Sequence, residues 1–198
     1  MGATSKSMKK IIAIFLILVG IISLIKPIYE WIGIRTEEQI ALAKAESIIN
    51  TNDEKTIYRE KIENFRGSHG KAFGVLYIPK FEKRIAIIEG VRDTDLNKGI
   101  GHISESKYPL QNDQIYLAVH RDKVFKEIQN LNSGDYIYIE MPYSKVKYKI
   151  SHNKIVNPED TQVIKSTYPK EELVIQTCYP FNFIGNAPKR YLLYAYPY

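Results

Sequence analysis

The chain has a single cysteine, Cys178, which closes the apolar run Leu173, Val174, Ile175 within EELVIQTCYPFNFIGNAPKRYLLYA, residues 171–195. Two other side chains stand at comparable places. His120 follows the apolar run at residues 114–119, and Arg190 opens the last apolar run after a Gly/Asn/Pro-containing loop at residues 179–189. Together the three types supply the parts of acyl transfer. A thiolate attacks a carbonyl, an imidazole protonates the leaving amine and deprotonates the incoming one, and a cation stabilises the oxyanion. A guanidinium near the sulfur also favours the nucleophilic thiolate. Each residue has a plainer role open to it: a lone cysteine as a small buried hydrophobe, a histidine as a satisfied core residue, an arginine as a surface ion-pair partner.

The amino terminus bears on that choice. Lys6, Lys9 and Lys10 precede an uncharged apolar run at residues 11–25, and Lys26-Pro27 then leads into Ile28, Tyr29, Glu30, Trp31 and Ile32. A snorkelling lysine and interfacial aromatic residues stretch such a run to about 20 residues, enough for a membrane span. No small-x-small cleavage site follows, so the segment reads as a retained single-pass anchor rather than a removed signal. The preceding lysines predict a cytoplasmic N-terminus and an extracellular catalytic domain at the cell membrane. Outside the cell an unpaired thiol needs a reason, which favours the reactive reading of Cys178. Formal net charge is +6, yet the lysines are scattered and form no nucleic-acid motif. No nucleic acid is expected as a partner, and an anionic envelope or membrane surface is the simpler counterpart.

The remaining chain supplies elements to hold these residues. Thr36 followed by Glu37, Glu38 and Gln39 looks like a helix N-cap with an acidic first turn, and the pattern stays helical to residue 65 with a break at residues 50–53. This gives three parts: 1–33 as cytoplasmic tail and anchor, 34–71 as a helical spacer that stands off from the membrane or packs on the domain's flank, and 72–198 as the catalytic domain. His69 falls in a Gly/Ser linker and reads as solvated. Within the domain, strands are expected at residues 74–78, 84–89, 114–119, 136–141, 145–155, near 173–178 and at 190–196, with loop at 91–113 and helical turns at 124–131. Val146, Tyr148 and Ile150 alternate with lysines, the pattern of a half-buried antiparallel sheet. Short strands, few helices and regular turns predict a mostly β chain built on a closed or nearly closed barrel. No cofactor is expected. His102 and His152 lack metal-ligand spacing, and Asp93 and Asp95 read as a solvated turn rather than a calcium loop.

Three separated stretches, GVLYIPKFEKRIAIIEG, IYLAVHRDKVFKEIQNLNSGD and VIQTCYPFNFIGNAPKRYLLYA, resemble the sortases, most closely the class D group, over about residues 72–198. The resemblance implies an eight-stranded barrel and a Cys-His-Arg site that cleaves LPxTG-like C-terminal sorting signals of surface proteins. The acyl group then passes to an amine of the peptidoglycan. Carried onto this chain, His120 is the general acid/base, Cys178 the nucleophile and Arg190 the stabiliser of substrate or oxyanion, with Thr177 and Tyr179 as candidate substrate contacts. The loops at 156–168 and 179–189 would read the signal. The family's TLxTC is Val174-Ile175-Gln176-Thr177-Cys178 here, and Ala118-Val119 stands where Ala-Gly usually precedes the histidine. Arg121 and Asp122 would orient the loop after His120. A Cys-His hydrolase using water, or a non-catalytic surface-binding module, remains as an alternative.

Overall fold

A computed structural model describes residues 3–50, 59–120, 128–183 and 185–198, with side chains described from residue 15 onward except at 31. The chain divides into two compact units, residues 1–37 and 38–198. Helix α1 runs unbroken from Ala3 to Asn50 with Pro27 inside it. Its stretch from Phe15 to Ile32 exposes nearly every apolar side chain, Phe15 at 64% and Ile22 at 64% among them. It is the one helix among the described residues long and apolar enough to cross a membrane. The expected cap at Thr36 is corrected: its hydroxyl donates to the Ile32 carbonyl at 2.9 Å, as a mid-helix threonine does, and the helix neither stops nor restarts there.

In the second unit, eight strands close into a barrel in the order β1-β2-β3-β4-β7-β8-β6-β5. They are β1 (Ala72–Ile78), β2 (Lys83–Glu89), β3 (Ile100–His102), β4 (Gln114–Val119), β5 (Tyr136–Met141), β6 (Ser144–Val156), β7 (Glu172–Tyr179) and β8 (Lys189–Pro197). The β2/β3 and β4/β7 pairs are parallel and the others antiparallel. Closure leaves no unpaired strand edge. Period-two alternation turns one face of every strand inward, where Leu76, Ile87, Leu117, Ile139, Tyr148 and Leu193 belong to one buried cluster. A second cluster lies on the barrel's outside. There Ala41 and Ala45 of α1 pack on Ala72, Val75, Ala86 and Ile88, with small side chains allowing a close approach. Arg84 fastens this contact, reaching Glu46 at 2.7 Å and Glu140 at 2.8 Å. Residues 41–46 of the helix therefore lie on the barrel's flank. Of the helical expectation beyond it, α2 (Arg59–Glu63) is observed, and residues 51–58 lie outside the described residues.

The expected loop at 91–113 holds two elements, the short helix α3 (Asp93–Leu96) and β3. Three residues with a central glycine carry too little alternation to read as a strand. Gly101 is needed there, because a Cβ would sit 2.5 Å from the Gly90 carbonyl oxygen and 2.7 Å from Leu96. Asp95 is not solvated as expected: it is fully buried, its carboxylate accepts from Arg92 Nε at 3.0 Å, and His69 Nε2 stands 4.0 Å away. Of the turns expected at 124–131, Ile128–Asn130 forms a 3-10 turn, and residues 121–127, including Arg121 and Asp122, lie outside the described residues.

One end of the barrel interior is polar. His102 Nδ1 lies 2.9 Å from Glu89 Oε2, its Nε2 lies 3.0 Å from the Lys107 carbonyl and 3.1 Å from Ser106 Oγ, and the Tyr108 hydroxyl donates to Glu89 at 2.9 Å. All four side chains are buried. The Gly67 amide donates to the Tyr108 hydroxyl, so the network also holds the segment entering β1.

Candidate active site

Strands β4, β7 and β8 are neighbours, and their registers set the site. In β7, Leu173 and Ile175 belong to the inner cluster while Val174 belongs to an outer cluster with Tyr116, Val156, Val163 and Leu192. Side chains two residues apart share a face. Gln176 and Cys178 therefore continue the outer face of Val174. On β8, Tyr191 and Leu193 point inward and Leu192 outward, which puts Arg190 on the outer face too. Cys178 and Arg190 are direct antiparallel partners, so their side chains emerge side by side. On β4, Ile115, Leu117 and Val119 face inward, and Val119 is the parallel partner of Thr177. One further step along both strands sets His120 level with Cys178. His120, Cys178 and Arg190 are each half-buried, and the thiol is unpaired.

Arg190 is steadied by the loop it terminates, its Nη1 donating to the carbonyls of Ala187 at 3.2 Å and Lys189 at 3.1 Å. That uses one nitrogen of a five-donor fork. Thr177 and Tyr179 take the opposite parity. Thr177 is 1% exposed behind the sheet, and Tyr179 packs toward the inner cluster with its ring 5.5 Å from Phe181, which in turn meets Tyr191 at 5.2 Å. Their side chains thus lie on the other face from the thiol.

The sequence reading passed over residues that shape the outer face. Gln176 lies two residues before Cys178 on the same face, and its Oε1 accepts from the Tyr116 hydroxyl at 2.6 Å. Burial pushes the Tyr116 hydroxyl well above the ordinary tyrosine range, so it remains a donor and fixes the amide with its NH2 turned away. Ala118, the β4 partner of Gln176, leaves a shallow floor beside it. The two-residue spacing from Cys178 was a signal that could have singled out Gln176. The β6–β7 connection is pinned to β4. Asp113 accepts from the amides of Thr167 and Tyr168 and from Ser166 Oγ, while Gln114 Nε2 donates to the Val163 carbonyl at 3.0 Å. Burial alone would raise the Asp113 carboxyl, but the amides of Thr167 and Gln114 and the Ser166 hydroxyl outweigh it and hold it below its ordinary value. At the other end of that connection Lys189 Nζ donates to Asn157 Oδ1 at 2.7 Å, tying together the two loops that flank the site.

The closed eight-stranded mixed barrel that carries these residues has the fold of solved sortases. Residues 76–198 match the family model described as Sortase domain. The chain is 37% identical to Sortase D of Bacillus subtilis strain 168 over 195 residues, spanning 95% of this chain and 98% of that protein. It belongs to the sortase family of cysteine transpeptidases, as the class D resemblance of its motifs implied. Sortase A of Streptococcus agalactiae is 26% identical over 53% of this chain and 46% of its own length. Among solved structures, the catalytic domain of Bacillus anthracis SrtD aligns at 32% identity with a TM-score of 0.57, covering 68% of this chain and 92% of that one. The Clostridium perfringens Sortase D5 transpeptidase aligns with a TM-score of 0.64 at 22% identity, covering 79% and 99%, a likeness of fold.

Proposed function

We propose that this sortase cleaves an LPxTG-like C-terminal sorting signal through a thioacyl intermediate on Cys178 and passes the acyl group to an amine of the cell wall. The reading rests on one observation: Cys178 and Arg190 are cross-strand partners on the outer face, with His120 one residue past the end of the strand alongside. The sulfur attacks the scissile carbonyl carbon and Arg190 stabilises the resulting oxyanion or the substrate. His120 gives its proton to the departing amine as the C–N bond breaks, leaving a thioester. An incoming amine then attacks the thioester carbonyl, yields its proton to His120 and releases the sulfur. The loops at 156–168 and 179–189 flank this face and read the signal. Residues 1–33 anchor the chain with the N-terminus inside, since Lys6, Lys9 and Lys10 precede the apolar run. Residues 34–71 serve as spacer and 72–198 as the extracellular catalytic domain.

Product analysis of a sorting-signal peptide with and without a primary amine tests the transfer. A conjugate carrying the amine should dominate when it is supplied. Free acid as the sole product at saturating amine would replace this reading with hydrolysis.

Gln176 takes a place in the same scheme. Its outward amide donates to the bound peptide two residues along from the thiol, and the role of the side chains of Thr177 and Tyr179 is to hold the sheet behind it. Gln176→Ala is expected to raise KM by roughly 3–10-fold, the worth of one hydrogen bond between neutral groups, with kcat within about twofold of the parent. Tyr116→Phe, which frees the amide to turn, should move KM in the same direction. An unchanged KM in both variants removes Gln176 from the substrate site.

A further inference from the structure

The hairpin of β5 and β6 carries a surface of different chemistry. Its inward positions, among them Ile137, Ile139, Val146 and Tyr148, belong to the core. Its outward positions are Tyr136 and Tyr138 on one strand and Lys145, Lys147 and Lys149 on the other, in the register Tyr136 with Lys149, Tyr138 with Lys147 and Glu140 with Lys145. The chain's last residue joins them, the Tyr198 amide donating to the Lys147 carbonyl at 2.9 Å.

The ammonium groups rest on the rings. Lys147 Nζ stands 3.8 Å from the Tyr136 centroid and 4.5 Å from that of Tyr198, Lys149 Nζ is 5.0 Å from Tyr198, and Lys145 Nζ is 5.0 Å from Tyr138. These contacts hold the three cations on one face of β6, at positions whose backbone repeats about every 7 Å. Lys145 is neutralised by Glu140 at 2.7 Å, a carboxylate already shared with Arg84. Among the described residues neither Lys147 nor Lys149 has a carboxylate within ion-pair distance. The result is two ammonium groups with no ion pair among the described residues, fixed beside a tyrosine, Tyr198, that is 69% exposed.

We propose that this lysine–tyrosine face of β5 and β6 docks on anionic phospholipid headgroups. Charge complementarity calls for an anion, and three features select a bilayer over a dissolved one. A tyrosine ring with its hydroxyl and a lysine stem with its ammonium are both built for the depth where apolar chains give way to headgroups. The chain carries a helix long and apolar enough to cross a membrane, which keeps the domain near one. Tethering supplies a high effective concentration, so a weak attraction, about a fivefold gain in partition for each such lysine, is enough to hold the face down. Attached in this way, the barrel is restrained in its orientation while the outer face of β4, β7 and β8 carries on its chemistry.

The test uses the full chain in nanodiscs of phosphatidylcholine alone or with phosphatidylglycerol. Surface amines are acetylated with a succinimidyl ester and each lysine's rate is read by mass spectrometry. Lys147 and Lys149 should react at least fivefold more slowly in the anionic discs, with Lys170, exposed in the β6–β7 connection, unchanged and the protection lost in 0.5 M salt. Lys145 lies on the same face and should slow with them in the anionic discs; in Lys147→Gln/Lys149→Gln that slowing should be lost while turnover of a soluble peptide stays at the parent level. Equal rates for Lys147 and Lys149 in the two discs would overturn the proposal. So would protection by inorganic polyphosphate in phosphatidylcholine discs with none from phosphatidylglycerol, the mark of a dissolved polyanion.

Discussion

Cys178→Ala should carry no peptide mass after incubation with a sorting-signal peptide and should turn it over at least about 10⁴-fold more slowly than the parent, because a methyl group cannot form the thioester through which both half-reactions pass. The parent, trapped without amine, should show an adduct on the peptide containing residue 178. The folded state should hardly change, since Cys178 is half-buried at the outer end of β7 and not part of the core. Equal thermal midpoints for the two proteins would assign the lost activity to the sulfur itself. An adduct that persists in the alanine variant would put the nucleophile elsewhere and dissolve the roles given to His120 and Arg190. An absent adduct in the parent would favour a surface-binding module.

The largest effect on stability is expected away from the site, at Glu89. Replacing it by alanine strips the buried partner from His102 Nδ1 and from the Tyr108 hydroxyl at once and should cost about 3–5 kcal/mol. Urea unfolding at pH 7 measures it, as a drop in midpoint at unchanged slope. The effect carries a pH signature. Burial by itself pushes the Glu89 carboxyl up, but hydrogen bonds from His102, Ser104 and Tyr108 outweigh it and hold the carboxyl below its ordinary value of 4.5. A carboxylate depressed in the folded state stabilises fully above its unfolded pKa and loses that contribution as pH falls through the folded value. The gap between parent and Glu89→Ala should therefore be constant from pH 7 to about 5 and narrow below about 4.5. A gap that widens on acidification would show that the carboxyl is protonated in the native protein.

Tyr108 belongs to the same network, and burial, followed by the nearby Glu89 charge, pushes its hydroxyl up to about 12. It thus stays a donor to Glu89 throughout that range. None of this cluster is legible in the sequence, because His102 lies in a stretch without strand periodicity and Glu89 at the end of a strand. They meet only because β3 runs parallel to β2 and sets Glu89 against His102. The same limit hid the helix α3 and the burial of Asp95, where a run of turn-forming residues packs tightly instead of facing water. At the amino terminus, Thr36 followed by acidic residues had the composition of a helix start. In an already helical segment the hydroxyl bonds back to Ile32 instead, and local composition does not distinguish the two.

Composition and periodicity by themselves determined a great deal. An apolar, lysine-led segment had to be a helix fit to cross a membrane, and a short apolar run had to make β4, as apolar residues at every second position did β5, since the two-residue period of an extended chain is a local property of the backbone. The lone Cys178 and its placement at a strand end were plain as well. Tertiary structure alone decided which strands lie side by side: the parallel seating of β4 on β7 that brings His120 level with Cys178, the return of β8 that sets Arg190 across from it, and the face on which Gln176 joins them while Thr177 turns away. Those relations come from hydrogen bonds and core contacts between segments as many as 60 residues apart, such as that from Tyr116 to Gln176. Register between distant strands is chosen by how the whole inner face packs, and no local stretch of sequence carries that choice.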